Sequence, residues 1–192
     1  MKKRLMAVTV GDVMLHTFAS FLRLVIPFLY LLAAWRFGDW KNWRKYYSSI
    51  LFLISVDFGM SLLTYNFSLW TFQKSFLVPN HTITDFLITF FVLSPMVFIF
   101  LSKYPFNSSM IWQIVYGAVW VIFSTFMESF FKAAELITYH HGWNLLWSIL
   151  VWMFMYFGLR VHFSKPFWAW LLCFACVFFI KIYFHIPIRN MK

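Results

Sequence analysis

The chain has 192 residues, 62% of them apolar and 24% aromatic, with 11% charged. Soluble domains run at about 45–50% apolar and about 25% charged, so a water-soluble fold of this size is excluded: its interior could not hold so much Phe, Trp, Leu and Ile. The formal net charge of +10 does not point to nucleic acid, since no basic folded domain exists to carry such an interface; the basic residues cluster between apolar runs, where anionic headgroups lie.

A helix that crosses a bilayer needs about 20 mostly apolar residues. The first candidate, 15–35, is interrupted by His16 and Arg23. Five cleaner segments follow, at 46–66, 83–102, 110–131, 144–163 and 166–186. The predicted fold is therefore all-α: a single integral membrane domain over 1–192, built as a polytopic transmembrane bundle of six helices, or of five if the first segment does not cross.

Local chemistry marks the boundaries. "RFGDWKNWRKYY" separates the first and second segments with basic residues among aromatics. Thr82 and Asp85 form a T-x-x-D capping pattern at the start of the third. Pro95, beside Ser94, predicts a kink within it. Gly142 is expected to end the fourth helix in a left-handed turn, and Asn144 to cap the fifth. Pro166 suits the first turn of the sixth. Trp40, Trp43, Tyr46, Tyr47, Trp70, Tyr139, Trp143 and Trp168 fall at predicted ends, as an interfacial aromatic belt would. Cys173 and Cys176 sit mid-run in "LLCFACVFF"; burial disfavours a thiolate there, so they read as small buried residues before a redox or zinc pair. "MKKRLMAV" begins like a secretory leader, but "TVGDVMLHTF" breaks the apolar core that a leader requires.

With six crossings, the loops 67–82 and 132–143 share one face, here side A, with both termini. The loops 36–45, 103–109 and 160–165 share the opposite side B. Lys and Arg favour the cytoplasmic side, but seven near side B stand against seven near side A. Side B takes the cytoplasmic position if the first segment only lies on the membrane.

Parity places His81, Asp85, Glu128 and His140 at one level, with Asn66 and Asn144 at neighbouring helix ends. Histidines and carboxylates at one depth suit a polar ligand or proton pocket, and His81, Asp85 and His140 are the candidate metal ligands. The plainer reading is that these groups cap helices and pair along faces, as Glu128, Lys132 and Glu135 would. Arg23 and Asp57 form a second constellation. Each lies eight or nine residues from the side-A end of its segment, so the two charges would meet at mid-membrane. They read either as an ion path or as a structural pair. No HExxH, GxSxG or Walker pattern occurs, so no catalytic residue is assigned and the cofactor is left unspecified.

Several short motifs occur together. Tyr65 and Asn66 precede Leu69 and Trp70; "PNHT" precedes Asp85; "YHHGWN" precedes Trp147 and Ser148; "LRVHFSKP" precedes Ala169 and Trp170. In these the chain resembles, over about residues 44–188, an uncharacterised family of small multi-pass membrane proteins from spore-forming Gram-positive bacteria. The resemblance implies a bacterial cell membrane and five or six helices, with no activity or catalytic residue to carry over. Ser164 and Thr71 depart from its pattern, which has a basic and an acidic residue at those places. Three of the four motifs fall on side A and favour a shared pocket there.

Three functions fit these residues. One is a binding or transport component with a polar pocket on side A. Another is a metal-dependent membrane enzyme acting on a lipid-like substrate. The third is a non-catalytic assembly or regulatory subunit. The expected partner is the lipid bilayer, with a membrane protein or a second copy of the chain as further possibilities.

Overall fold

A computed structural model describes residues 10–72 and 81–187. It is a helical bundle with one small two-stranded sheet. Helix α1 spans Val10–Phe37 and α2 spans Arg44–Leu63. Strand β1 is Trp70–Phe72. Helix α3 covers 81–102 in three continuous pieces: His81–Ile88, a π-helical turn Thr89–Leu93, and Ser94–Ser102. Helix α4 spans Met110–Ala133, β2 spans Ile137–Tyr139, α5 spans Leu145–Ser164 and α6 spans Pro166–Tyr183. Five of the helices, α2 to α6, are long and apolar enough to cross a membrane. In α1 the apolar stretch among the described residues is Val25–Phe37.

The burial pattern is that of a bundle dissolved in hydrocarbon. On α4, Ile111, Trp112, Ile114, Ile122 and Phe126 are all exposed, and on α6 so are Phe174, Phe178 and Phe179. In water such a surface would drive aggregation; in lipid it costs nothing, and the polar backbone is satisfied within each helix. The interior is built around α3, where Met96, Val97, Phe98, Phe100 and Leu101 are buried against Ala34 of α1, Leu53 of α2 and Leu159 of α5.

Pro95 alters α3, but the irregularity lies one turn before it. Proline lacks an N–H and crowds the preceding turn. The chain responds by widening Thr89–Leu93 into a π turn, and the Ser94 hydroxyl donates to the Thr89 carbonyl at 2.8 Å. His81 is already helical, so Thr82 lies inside the helix and not at the expected cap.

The fourth helix does not run on to Gly142. It ends at Ala133, and Glu135 takes the left-handed conformation at φ 56°. Leu136 N–H donates to the Phe131 carbonyl at 2.8 Å and Glu135 N–H to the Lys132 carbonyl at 3.1 Å. That is a Schellman closure with glutamate where glycine is usual. Gly142, at φ 81°, turns the chain between β2 and α5 instead. A left-handed non-glycine residue carries a steric cost of about 1–2 kcal/mol, against the greater chain entropy that glycine loses, about 0.5–1 kcal/mol. Glu135→Gly is therefore expected to raise stability by about 0.5–1 kcal/mol, read as a higher midpoint of denaturant unfolding in detergent.

Between these helix ends the two side-A loops pair as antiparallel strands, with Trp70 opposite Tyr139, Thr71 opposite Thr138 and Phe72 opposite Ile137. The pairing continues beyond the strands, since His140 N–H donates to the Leu69 carbonyl at 2.8 Å. Beneath it Leu69, Trp143, Ile180, Phe184 and Ile186 form a second buried cluster. At the opposite end, the turn Trp40–Asn42 joins α1 to α2. Asp39 accepts from Asn42 at 2.9 Å and from Tyr46 at 3.1 Å. The Asn42 bond first, then Tyr46 and the Lys45 charge, hold the Asp39 carboxyl below its usual range against a smaller opposing effect of burial.

Candidate functional site

A cavity of about 260 Å³ lies between the helices, near the lower end of the size usual for small-molecule sites, about 300–1,000 Å³. At one end its wall is formed by Trp70, Phe72, Ile137 and Trp143, from the strands and the turn that follows. Tyr30, Phe52, Leu53 and Leu159 line it further along the bundle. Most of the lining is apolar or aromatic, and three carboxyl groups interrupt it: Asp57, Asp85 and Glu128.

Glu128 is held most completely. Its Oε1 accepts from the Tyr139 hydroxyl at 2.7 Å and from the Ser148 hydroxyl at 2.6 Å, and its Oε2 accepts from the Trp152 indole N–H at 2.7 Å. An indole can only donate, so Trp152 requires an acceptor there. Ser148 also accepts from the Trp143 indole at 3.0 Å, so donors run in series toward the carboxylate. Burial first, and the Glu128 carboxylate after it, push the Tyr139 phenol well above its usual range and keep it a donor. Lys132, one turn along α4, lies 4.6 Å from the centre of the Tyr139 ring.

Asp57 and Asp85 belong to a second set. The Thr89 hydroxyl lies between the Asp57 carboxylate and the Asp85 main-chain carbonyl, and the Ser61 hydroxyl donates to the Asp85 side chain. Thr89 opens the π turn, so the local widening of α3 sets the hydroxyl that faces α2. Turns of this kind gather at functional sites.

The expected pocket residues thus divide. Asp85 and Glu128 line the cavity, and Asp57 lies in the same wall. Asn144 does not: its Oδ1 accepts from the N–H groups of Leu146 and Trp147 and caps α5. His140 is exposed and its Nε2 bonds the Thr71 hydroxyl across the strand pair at 2.8 Å. Asn66 is exposed in the turn that follows α2. The side chains of His81 and Arg23 lie outside the described part of the structure, and with them the Arg23–Asp57 pairing and the full candidate metal set. Among the described residues no three His, Cys, Asp or Glu side chains gather as metal ligands. Cys173 and Cys176 are free thiols and both line the cavity.

Several polar contacts are invisible in sequence because they join distant helices. Ser49 and His162 Nδ1 meet at 2.9 Å, buried, with the imidazole stacked on Phe52 at 4.3 Å. The Ser124 and Tyr156 hydroxyls meet at 2.6 Å next to Met96, and Ser124 reaches the cavity wall. Tyr139, Ser148 and Trp152 had a signal of sorts, being polar or amphipathic residues near the motif-bearing turn, but their common target required the fold. No family model, curated protein or solved structure matches the chain.

Proposed function

We propose that this chain is a binding or transport component of a bacterial cell membrane that holds a small, largely apolar molecule between its helices. The observation that carries this reading is the cavity itself: a mainly apolar, aromatic chamber whose described lining carries three carboxyl groups, Asp57, Asp85 and Glu128, beside a few hydroxyls, thiols and indole N–H groups. Such sites take their affinity from apolar contact and their selectivity from a few placed polar groups. Trp70 and Phe72 of β1 and Ile137 of β2 form part of the wall, so the side-A loops shape the site without most of their own polar residues entering it. The resemblance to small multi-pass proteins of Gram-positive bacteria supports the same compartment.

A metal-dependent enzyme draws less support, because His140 and Asp85 are engaged in different hydrogen bonds. In the assembly-subunit reading the same carboxylates would only tie helices together. Binding separates the two. In nanodiscs, energy transfer from the cavity tryptophans to the neutral dye N-phenyl-1-naphthylamine is expected to saturate. Val151→Trp, which adds bulk to the cavity wall, is expected to remove the saturable part while the protein stays folded. A signal that rises linearly, as in empty nanodiscs, would contradict a binding chamber.

A further inference from the structure

Arg160 stands outside the cavity wall, at the side-B end of the bundle, and there the geometry points to a bound anionic phospholipid, with its phosphate on Arg160 and its chains along α5. The turn Trp40–Asn42, the end of α3 and the end of α5 meet at this end. Asp39 N–H donates to the Ser102 hydroxyl at 3.1 Å, and the Phe163 ring lies 5.9 Å from Tyr46 and 4.6 Å from Phe106. Lys41, Arg44, Lys45, Lys103, Arg160 and Lys165 gather there. The chain has only six acidic residues, and one of them, Asp39, lies with these cations, bonded to Asn42 and Tyr46 and near Lys45. Asp57, Asp85 and Glu128 line the cavity, and Glu135 follows α4 at the end the strand pair covers. Asp12 falls near the start of α1, which runs from Val10 to Phe37, so roughly 36 Å of helix separates it from Arg36. No acidic residue besides Asp39 belongs to this end, and its positive charge calls for an anion from outside the chain.

Arg160 is half-buried and oriented by neutral groups. Its Nη1 donates to the Ser164 hydroxyl at 2.6 Å and its Nε to Gln113 Oε1 at 3.4 Å. Its guanidinium carbon lies 5.0 Å from the centre of the Phe106 ring and 5.5 Å from that of Tyr104. Gln113 is itself fixed, since it donates to the Ser108 carbonyl at 3.0 Å and accepts from the Tyr104 hydroxyl at 3.3 Å. A guanidinium has five N–H donors; two are used, and the others meet no acceptor among the described residues. A phosphodiester offers the paired oxygens that such a fork takes in parallel. The rest of the helix separates a lipid from a free phosphate. Leu150, Met153 and Phe157 of α5 are exposed at helical spacing, and Arg160 continues the same face. Met110, Ile111 and Ile114 are exposed on α4, whose Gln113 holds Arg160. The guanidinium thus heads an apolar strip that acyl chains can follow into the bilayer.

The test is native mass spectrometry of the purified protein in a neutral detergent. It is titrated with dioleoylphosphatidylglycerol and, separately, with dioleoylphosphatidylcholine, which has the same chains and no net charge. The anionic lipid is expected to bind more tightly by a factor of roughly five or more. Arg160→Gln is expected to remove that preference, and Arg160→Lys to keep part of it, having the charge without the fork. Lys41→Gln, in the turn between α1 and α2, is expected to leave it unchanged. Equal affinities for the two lipids in the unmutated protein would overturn the assignment, as would an unchanged preference in folded Arg160→Gln protein. An equal loss in Lys41→Gln would reduce the effect to bulk surface charge and overturn the site. Displacement of the phosphatidylglycerol by millimolar inorganic phosphate would replace the lipid with a soluble anion. A lipid-free dimer that Arg160→Gln dissolves would put a second copy of the chain there instead. The comparison of the two lipids needs no variant, so it decides even if Arg160→Gln does not fold.

Discussion

Glu128→Ala is expected to destabilise the protein by roughly 3 kcal/mol or more, since each buried donor left without an acceptor costs about 1–3 kcal/mol. Three donors converge on this carboxylate, from Tyr139, Ser148 and Trp152. They arrive from β2 and from two places on α5. Truncation leaves the Trp152 indole facing an apolar chamber and releases the Ser148 hydroxyl that receives Trp143. Trp143 is itself buried in the cluster under the strand pair, so the loss spreads from the cavity wall to the side-A cap. Glu128→Gln keeps an acceptor oxygen for one side but turns an N–H toward a donor on the other, so it should fall between. Denaturant unfolding in detergent should rank the proteins wild type, Gln, Ala. An Ala variant as stable as wild type would show that water reaches all three donors.

Gly38→Ala is the second large effect. A β-carbon at Gly38 would lie 2.2 Å from a ring carbon of Phe98 and 2.5 Å from the Ala34 carbonyl oxygen. The carbonyl cannot retreat, because it accepts from Gly38 N–H at 2.8 Å and from the Trp40 indole at 2.9 Å. Phe98 is buried, with Trp40 at 4.9 Å and Tyr46 at 5.7 Å between ring centres. Glycine here serves close approach: it lets the end of α1 settle on α3. Overpacking of this kind costs about 1–3 kcal/mol and at times more. The clash names its own control. Phe98→Leu shortens the group that is struck, so Gly38→Ala should cost less in that background than alone. Strictly additive losses in the double-mutant cycle would show that Phe98 is not what the added methyl meets.

The bundle was legible from hydrophobic runs because lipid leaves a plain signature: about 20 apolar residues per crossing. The helices α2 to α6 lie where those runs lie, with ends displaced by a few residues. The sequence predicts glycine as the helix terminator at 142, whereas the chain uses Glu135; nothing local distinguishes a glutamate that will adopt positive φ. The strands are not legible because β1 and β2 are three residues each and pair across 64 intervening positions or more. "WTF" and "ITY" do carry the β-branched and aromatic residues that strands favour, but runs so short acquire meaning only once α3 and α4 bring them together.

The candidate site was legible in part for a related reason. An acid within an apolar run is conspicuous, so Asp57, Asp85 and Glu128 stood out, and all three line the cavity. Polar residues at the turns stood out equally, yet His140 ties strands and Asn144 caps α5. Depth along the membrane is readable from sequence, whereas direction around a helix axis depends on packing. Ser148 and Trp152 show this most clearly: four residues apart on α5, they become donors to one carboxylate on α4.

The pairing of β1 with β2 makes the most direct test possible, because strands that hydrogen-bond in water-facing loops must lie on one side of a bilayer crossed twice between them. Single cysteines at Tyr65, His141, Lys41 and Lys165, all exposed, would be introduced with Cys173 and Cys176 changed to alanine and treated in sealed cells with a membrane-impermeant maleimide. The expected result is one pattern for 65 and 141 and the opposite pattern for 41 and 165. Labelling of 65 and 141 from opposite compartments would contradict the transmembrane bundle, the strand cap and the chamber beneath it together.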